Sequence, residues 1–150
     1  MKKIISHILF TLATWYWRIF RPKEYGVKAV LKRGNEILCI KQGWGGKYTF
    51  PGGRIDRKET PEEAVMREVK EEVGIYVSNY AYTGSFVSRA FKKYDTVFVY
   101  VADFPKDVSI KVDGFEVVEA NWFDQKDMPE LGPVGKETFL IYEKWLSRNK

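Results

Sequence analysis

The 150-residue sequence contains one cysteine, Cys39, and one histidine, His7. A single cysteine excludes an intramolecular disulfide framework and a cysteine-based zinc site. A single histidine argues against a histidine-dependent catalytic triad and against a histidine-rich metal centre. Any chemistry that the chain performs must therefore use carboxylates, hydroxyls, lysine, arginine or the backbone.

The sequence has little net charge outside its N-terminal segment. The formal charge is +5, but residues 1–25 hold five basic residues and one acidic residue, whereas the other 125 hold 20 basic and 19 acidic. This distribution argues against a broad nucleic-acid-binding face and indicates a local basic feature at the N-terminus. With 45% hydrophobic and 30% charged residues, the chain has the composition of a globular domain.

Residues 4–20 form the one long apolar stretch, and their hydrophobic spacing predicts an amphipathic or apolar helix. Its uninterrupted part, from Ile4 to Trp17, would span roughly 21 Å, less than the ~30 Å core of a bilayer. Trp15 and Tyr16 precede an arginine, as in helices that lie at a membrane interface. Two interpretations stay open: contact with a membrane surface, or packing on the body or on a second subunit of a homodimer.

The chain divides into this N-terminal helix with its linker, residues 1–25, and one body, residues 26–150. Strand-like and helix-like patterns are mixed along the body, which predicts an α/β fold with a sheet between helices. The patterns predict strands over 27–32, 36–41, 75–88, 96–103 and 117–123, and helices over 61–73, about 125–131, and 135–148.

The helix over 61–73 has the best-specified ends. Thr60 and Glu63 have the spacing of a capping box, Pro61 suits the first turn, and Gly74 is a terminating residue. Its interior has valines at i, i+4 and i+8, which predict a face packed on the sheet. These valines are Val65, Val69 and Val73.

Glu68, Glu71 and Glu72 lie beside that valine face at i, i+3 and i+4. Each like-charge pair costs roughly 0.2–0.5 kcal/mol, and anions in the last helical turn cost about 0.3–1 kcal/mol each. A locally unfavourable cluster suggests a functional site, and converging carboxylates suit a hard divalent cation such as Mg²⁺. The alternative is a solvated acidic face relieved by Arg67 and Lys70.

The stretch from Gly53 to Ile75 resembles the Nudix box, G-x5-E-x7-R-E-U-x-E-E-x-G-U, where U is apolar. The segments 50–52 and 119–123 are also similar to Nudix sequences, so the resemblance covers most of residues 27–131. It implies a Nudix-like α/β/α sandwich with a mixed sheet. The matched positions of the box are Gly53, Glu59, Arg67, Glu68, Val69, Glu71, Glu72, Gly74 and Ile75.

The resemblance implies metal-dependent hydrolysis of a nucleoside diphosphate derivative, with Mg²⁺, or Mn²⁺ as the alternative. Glu68, Glu71 and Glu72 would bind the metal together with the Gly52 carbonyl, and Glu72 is the best single candidate. Glu68 has the alternative role of orienting or deprotonating the attacking water.

Three further carboxylates and one arginine receive roles from the same resemblance. Glu59 and Arg67 would form a loop-to-helix pair that keeps the box in shape. Glu119 matches a downstream glutamate that serves some family members as ligand or base. Glu116 competes for that role, although the spacing to Trp122 favours Glu119.

Substrate identity is weakly encoded. Trp44 and Tyr48 are candidates for stacking on a base, and Lys41 and Arg54 for contacting phosphates; the alternatives are core packing and solvated surface. The region around residues 90–91 lacks a proline typical of ADP-ribose-type members, and the extended NADH-type motif is absent. A nucleoside triphosphate or a nucleotide sugar is therefore the expected small-molecule substrate.

Three functional interpretations remain. An active Nudix pyrophosphohydrolase is favoured, because every box glutamate is present. The second is a nucleotide-binding regulator on the same fold. The third, suggested by residues 4–20 alone, is a membrane-associated hydrolase of a lipid or isoprenoid diphosphate. A cytoplasmic location is expected, with peripheral membrane association as the alternative.

Overall fold

The computed structural model describes residues 24–43, 46–89, 95–112 and 114–149. The predictions for residues 4–20 and for Trp44 fall outside these ranges and stay predictions. Within the described part, six strands form one sheet with two helices. The elements are β1 (Glu24–Arg33), β2 (Glu36–Gln42), β3 (Tyr48–Thr49), α1 (Pro61–Val73), β4 (Ala81–Ser88), β5 (Asp95–Asp103), β6 (Val117–Asp124) and α2 (Pro133–Arg148).

The sheet is mixed and runs in the order β3-β2-β1-β5-β4, with β6 paired to β2. β1 and β5 are parallel from Glu24↔Asp95 to Lys32↔Asp103, whereas β4 is antiparallel to β5. β2 pairs with β6 along one edge, while its other edge holds the end of β1 and then β3. β1 and β2 are joined by the turn at residues 34–35, as the sequence predicts.

The two faces of the sheet carry separate cores, because side chains alternate along each strand. On β1, Ala29 and Leu31 face α1, and Val30 faces α2. The predicted α/β/α arrangement is therefore confirmed. The three valines of α1 complete the first core, and Tyr142 of α2 belongs to the second. These valines are Val65, Val69 and Val73.

Two predicted elements are wrong. The strand expected over 75–88 begins only at Ala81, and residues 75–80 are irregular, with Asn79 at φ 60°. No helix forms over 125–131, because Tyr48 instead bonds this segment: its amide donates to the Glu130 carbonyl and its carbonyl accepts from the Gly132 amide. The apolar residues there are buried by β3 and α2 rather than on a helix of their own.

None of the helices among residues 24–43, 46–89, 95–112 and 114–149 is long and apolar enough to cross a membrane.

Candidate metal and diphosphate site

α1 begins and ends where its sequence predicts. The Thr60 hydroxyl accepts a hydrogen bond from the Glu63 amide, and the Glu63 carboxylate accepts one from the Thr60 amide. Gly74 closes the helix in the left-handed region at φ 77°. These caps fix the register of the helix, and therefore the direction in which each of its glutamates points.

The loop that precedes the box lies against β1 like an added strand. The Val27 amide donates to the Gly53 carbonyl at 2.9 Å, and the Ala29 amide donates to the Pro51 carbonyl at 2.8 Å. Gly52 has φ +134°, and a Cβ there would lie 2.1 Å from the Val27 carbonyl oxygen. Only glycine therefore fits where the loop passes β1.

Glu72 is buried behind this loop, with 5% of its surface exposed. Its Oε2 accepts a 2.7 Å hydrogen bond from the Gly52 amide. Burial raises the pKa of Glu72 to about 7, although the positive charge of Lys28 and the Gly52 hydrogen bond oppose the shift. The loop and the helix therefore hold this carboxylate in one orientation.

Glu68 lies one turn earlier and is half-buried. Its Oε1 accepts a 2.8 Å hydrogen bond from Arg67 Nη1. Burial raises the pKa of Glu68, and the neighbouring Arg67 opposes that shift. A Cβ on Gly53 would lie 2.6 Å from the Glu68 carboxylate, so the absence of a side chain at Gly53 makes room for this group.

Glu71 does not join the other two glutamates. It is exposed, and its Oε2 accepts a 3.3 Å hydrogen bond from Arg67 Nη1. Within the described residues no group of three acidic side chains is arranged to hold a metal ion. The structure thus brings together Glu68, Glu72 and the Gly52 backbone, with Glu71 at the rim.

Arg67 connects the box loop to α1, as the resemblance implies. Its Nε and Nη2 donate to the two carboxylate oxygens of Glu59 at 2.8 and 2.9 Å, and Nη2 also donates to the Arg54 carbonyl at 3.0 Å. The Arg67 hydrogen bond lowers the pKa of Glu59. Two parallel hydrogen bonds fix the planes of the Arg67 guanidinium and the Glu59 carboxylate relative to each other. This pair therefore positions the loop rather than contacting a ligand.

Lys28 is a site residue that the sequence reasoning missed. Its Nζ donates to the carbonyl oxygens of Phe50 at 2.9 Å and of Gly52 at 3.0 Å. Burial lowers the pKa of Lys28, and the charges of Glu72 and Glu68 oppose the shift. The available signal was a lone lysine in the otherwise apolar run of β1.

Glu119 lies in a polar cluster on β2, β3 and β6. The Tyr48 hydroxyl donates to Glu119, and Asn121 Nδ2 donates to Glu119 Oε1 at 2.6 Å. The hydrogen bond from the Tyr48 hydroxyl to Glu119 raises the pKa of Tyr48. Lys41 Nζ lies 4.0 Å from Glu119 and 5.5 Å from the centre of the Tyr48 ring. Three of the predicted site residues therefore meet here, with Asn121 as an addition.

Glu116 acts on the buried carboxylate instead. Its negative charge contributes to the raised pKa of Glu72, and its carbonyl accepts a hydrogen bond from Gly43 at 3.1 Å.

Arg54 lines a cleft of about 240 Å³ together with Lys28 and Gly53. Of the predicted phosphate-contacting residues, Arg54 therefore lies in the box loop beside this cleft, and Lys41 belongs to the Glu119 cluster.

The residues present fit a divalent cation. Glu72 is a carboxylate buried behind the Gly52 loop, and Glu68 lies in the space that a Cβ on Gly53 would fill. Carboxylates and one backbone carbonyl are the ligands that Mg²⁺ and Mn²⁺ prefer. Both carboxylates come from α1, and Gly52 supplies the carbonyl.

A mixed sheet between two helices, with two carboxylates of α1 beside a glycine loop, is the α/β/α arrangement that the Nudix resemblance implies. The chain belongs to the Nudix family: a family model of the NUDIX domain matches residues 22–142. A NAD-capped RNA hydrolase NudC of Vibrio atlanticus is 41% identical over 107 residues, which are 70% of this chain and 39% of that protein. An ADP-ribose pyrophosphatase of Methanocaldococcus jannaschii is 28% identical over 134 residues, covering 86% and 78%.

This chain thus spans about two-fifths of the NudC relative's length. The solved structures show the same fold. A MutT protein from Methanosarcina mazei Go1 aligns with TM-score 0.74 at 24% identity, covering 86% of this chain and 96% of that one. The NUDIX domain of Shewanella oneidensis NrtR, complexed with ADP ribose, aligns with TM-score 0.72 at 18% identity, covering 86% and 92%.

Proposed function

We propose that this chain hydrolyses the diphosphate linkage of a nucleoside diphosphate derivative with Mg²⁺ or Mn²⁺. The observation that carries the proposal is the buried pair Glu68 and Glu72 held against the Gly52 loop. A nucleotide-binding regulator would not need this arrangement intact. The proposed metal ligands are Gly52, Glu68, Glu71 and Glu72.

To bind the metal, Glu71 must give up its hydrogen bond with Arg67. It is bonded to Arg67, which also holds Glu59 and Glu68, so its release leaves Arg67 with its stronger partners. Because Glu71 is exposed, it turns at little cost. Glu72 is fixed by burial and by the Gly52 amide and is therefore the ligand whose loss should matter most.

The bound cations would neutralise the diphosphate, polarise phosphorus and acidify a bound water. Water attacks one phosphorus and the bridging P–O bond breaks. A diphosphate esterified at both ends, such as ADP-ribose, then gives two phosphate monoesters, and a nucleoside triphosphate gives a monoester and pyrophosphate. Glu68 or Glu119 accepts the proton of the attacking water. For Glu68 this role is the alternative to metal binding, because a carboxylate that coordinates a divalent cation is a weak base.

The cleft beside the box is the proposed position of the substrate. Lys28 and Arg54 line it together with Gly53, next to the proposed metal ligands. Lys41 and Tyr48 form the second contact region around Glu119. The names of the similar proteins favour substrates with an ADP moiety, such as ADP-ribose or an NAD-type dinucleotide, over the nucleoside triphosphates or nucleotide sugars that the sequence alone favours.

A panel of substrates tests this proposal. ADP-ribose, NAD, an NAD-capped oligoribonucleotide, nucleoside triphosphates, nucleotide sugars and isoprenoid diphosphates are incubated with Mg²⁺ or Mn²⁺, and released products are quantified. Glu72→Gln runs beside the wild type. We expect cleavage of an ADP-containing substrate that is lost in the variant. Equal turnover in both proteins would contradict the proposed site, and metal-dependent binding without turnover would favour the regulator.

The third function interpretation depends on residues 4–20 and has its own test. Deletion of residues 1–21 should abolish liposome binding if that segment contacts membranes. Unchanged binding after the deletion would remove the membrane-associated hydrolase from consideration.

A further inference from the structure

Lys28 occupies an unusual position for a charged side chain. It lies in the middle of β1, where it is only partly buried and alternates with Val27 and Ala29, whose side chains belong to the core beneath α1. Its ammonium group ends on two backbone oxygens, those of Phe50 and Gly52, at 2.9 and 3.0 Å. Desolvating a cation is costly unless nearby groups compensate its charge.

Attachment of the loop to β1 does not require this lysine. Two backbone hydrogen bonds already join the loop to the strand, from Val27 to Gly53 and from Ala29 to Pro51. Lysine contributes something the backbone cannot, which is a positive charge on the carbonyl side of Gly52.

The box glutamates supply part of the compensation for that charge, although burial outweighs them and the pKa of Lys28 is still lowered. The charge of Lys28 interacts with those of Glu72 and Glu68. None of the ion pairs found among the described residues includes Lys28, so the ammonium acts on these carboxylates through space. It also lines the cleft beside Gly53, at the edge of the proposed metal site.

We infer that the ammonium group of Lys28 holds the Gly52 carbonyl and offsets the negative charges of Glu68 and Glu72 when no metal is bound. A divalent cation that binds there replaces Lys28 in both roles. The inference rests on the proposed function, because Gly52, Glu68 and Glu72 are the proposed metal ligands. Lys28 is therefore a positioning residue: it keeps the ligands assembled and limits the affinity for the metal.

The direction of the effect follows from charge. An ammonium group and a divalent cation drawn to one carbonyl oxygen repel each other, and the low-dielectric surroundings of Glu72 strengthen that repulsion. Metal binding must therefore displace Lys28 or bear its repulsion. Removal of the charge should tighten metal binding, whereas loss of a residue that merely supports the ligands should weaken it.

Metal binding without substrate tests the inference. Mn²⁺ is titrated into the full-length, nucleotide-free protein, and free Mn²⁺ is measured by electron paramagnetic resonance. We expect Lys28→Met to lower the Kd about tenfold. Lys32→Met is the matched control, because Lys32 lies on the same face of β1 but pairs with Asp103 at 3.4 Å. Its Kd should equal that of the wild type.

The unfolding midpoint gives a second readout. Without metal, Lys28→Met should be less stable than the wild type, because Glu68 and Glu72 lose their compensating charge. Saturating Mn²⁺ should raise its midpoint by more than it raises that of the wild type. Lys28→Gln keeps a hydrogen-bond donor without the charge and replaces the methionine variant if that variant fails to fold.

An unchanged or weaker affinity for Mn²⁺ in folded Lys28→Met or Lys28→Gln would overturn the inference. Glu72→Gln separates this failure from failure of the proposed function. If Glu72→Gln abolishes Mn²⁺ binding while the Lys28 variants bind normally, the metal site stands and only the role of Lys28 is wrong. If Glu72→Gln also binds normally, the proposed metal site is itself wrong.

Discussion

Gly53 and Glu68 fit together so closely that a Cβ on Gly53 would lie 2.6 Å from the carboxylate carbon of Glu68. The backbone of Gly53 does not need a positive φ, so the constraint is one of space alone. The obstructing atoms are the end of a flexible side chain. A side chain at Gly53 should therefore move the Glu68 carboxylate without preventing folding.

Gly53→Ala is predicted to fold and to bind Mn²⁺ about tenfold more weakly, because its methyl group occupies the place of the Glu68 carboxylate. Mn²⁺ titration and thermal unfolding of the same preparation measure both effects. Gly46→Ala is the matched control, since a Cβ at Gly46 meets nothing within 4 Å. Normal Mn²⁺ affinity in Gly53→Ala would argue against Glu68 as a ligand.

The buried carboxyl of Glu72 predicts how the metal-free protein responds to pH. Its pKa is raised from 4.5 to about 7, so the folded state binds this proton more tightly than the unfolded state does. The resulting stabilisation is present in full below about pH 4.5 and is lost as the pH rises to about 7. It amounts to at most about 3 kcal/mol. The raised pKa of Glu68 changes the stability with pH in the same direction.

Chemical denaturation in a chelating buffer, at several pH values between 5 and 8, measures this loss. Glu72→Gln carries no titrating group at this position, so its free energy of unfolding should change much less over the same interval. Saturating Mn²⁺ should reverse the slope in the wild type, since the metal binds the ionised carboxylate. Parallel pH profiles for the two proteins would contradict the assignment.

The contribution of Arg67 and Glu59 to stability should depend on their two parallel hydrogen bonds and not on charge attraction alone. Lysine cannot donate the two parallel hydrogen bonds that Arg67 makes to Glu59. Arg67→Lys is therefore predicted to lower the free energy of unfolding by about 2 kcal/mol, a value reduced because the pair is partly exposed. Urea denaturation measures it.

Arg33→Lys is the control for that substitution, because Arg33 also pairs with a glutamate, Glu36, but on the surface at the end of the hairpin. Arg33 also lies over the Trp122 ring at 4.2 Å, a cation–π contact that a lysine can keep. The expected cost of Arg33→Lys is below about 1 kcal/mol. Similar costs for both arginines would mean that the loop does not depend on the Arg67 geometry.

The sequence predicts the parts of this fold that local rules determine. The capping box at Thr60 and Glu63 fixes the start of α1, and the valine spacing fixes its buried face, because both depend on residues within one helix. Hydrophobic periods of two residues in strands and 3.6 residues in helices, mixed along the chain, also predict the α/β/α sandwich. These signals are local, and they appear in the structure as predicted.

The sequence predicts poorly whatever depends on partners distant in the chain. Residues 75–80 alternate like a strand but are irregular, because the sheet offers them no partner. Lys28 is 24 residues from Gly52, and no local pattern announces their hydrogen bond. The choice between Glu116 and Glu119 likewise depends on how β6 meets β2, where the register shifts between Lys41 and Gln42.

That choice yields the last prediction. Burial raises the pKa of Glu72 and the charge of Glu116 adds to that shift, while Glu119 is engaged by Tyr48 and Asn121. Glu116→Gln should therefore lower the pKa of Glu72 and weaken Mn²⁺ binding several-fold, because a negative charge near the metal is lost. Glu119→Gln should leave both unchanged and reduce turnover only.

The pH profile of metal-free stability and the Mn²⁺ titration compare the two variants directly. Glu36→Gln is the control for loss of one negative charge, since Glu36 pairs with Arg33 at the exposed hairpin end and should alter neither property. The reverse outcome, in which Glu119→Gln weakens Mn²⁺ binding and Glu116→Gln does not, would give the downstream role to Glu119 as a ligand. It would mean that spacing to Trp122 predicts the ligand better than the charge environment of Glu72 does.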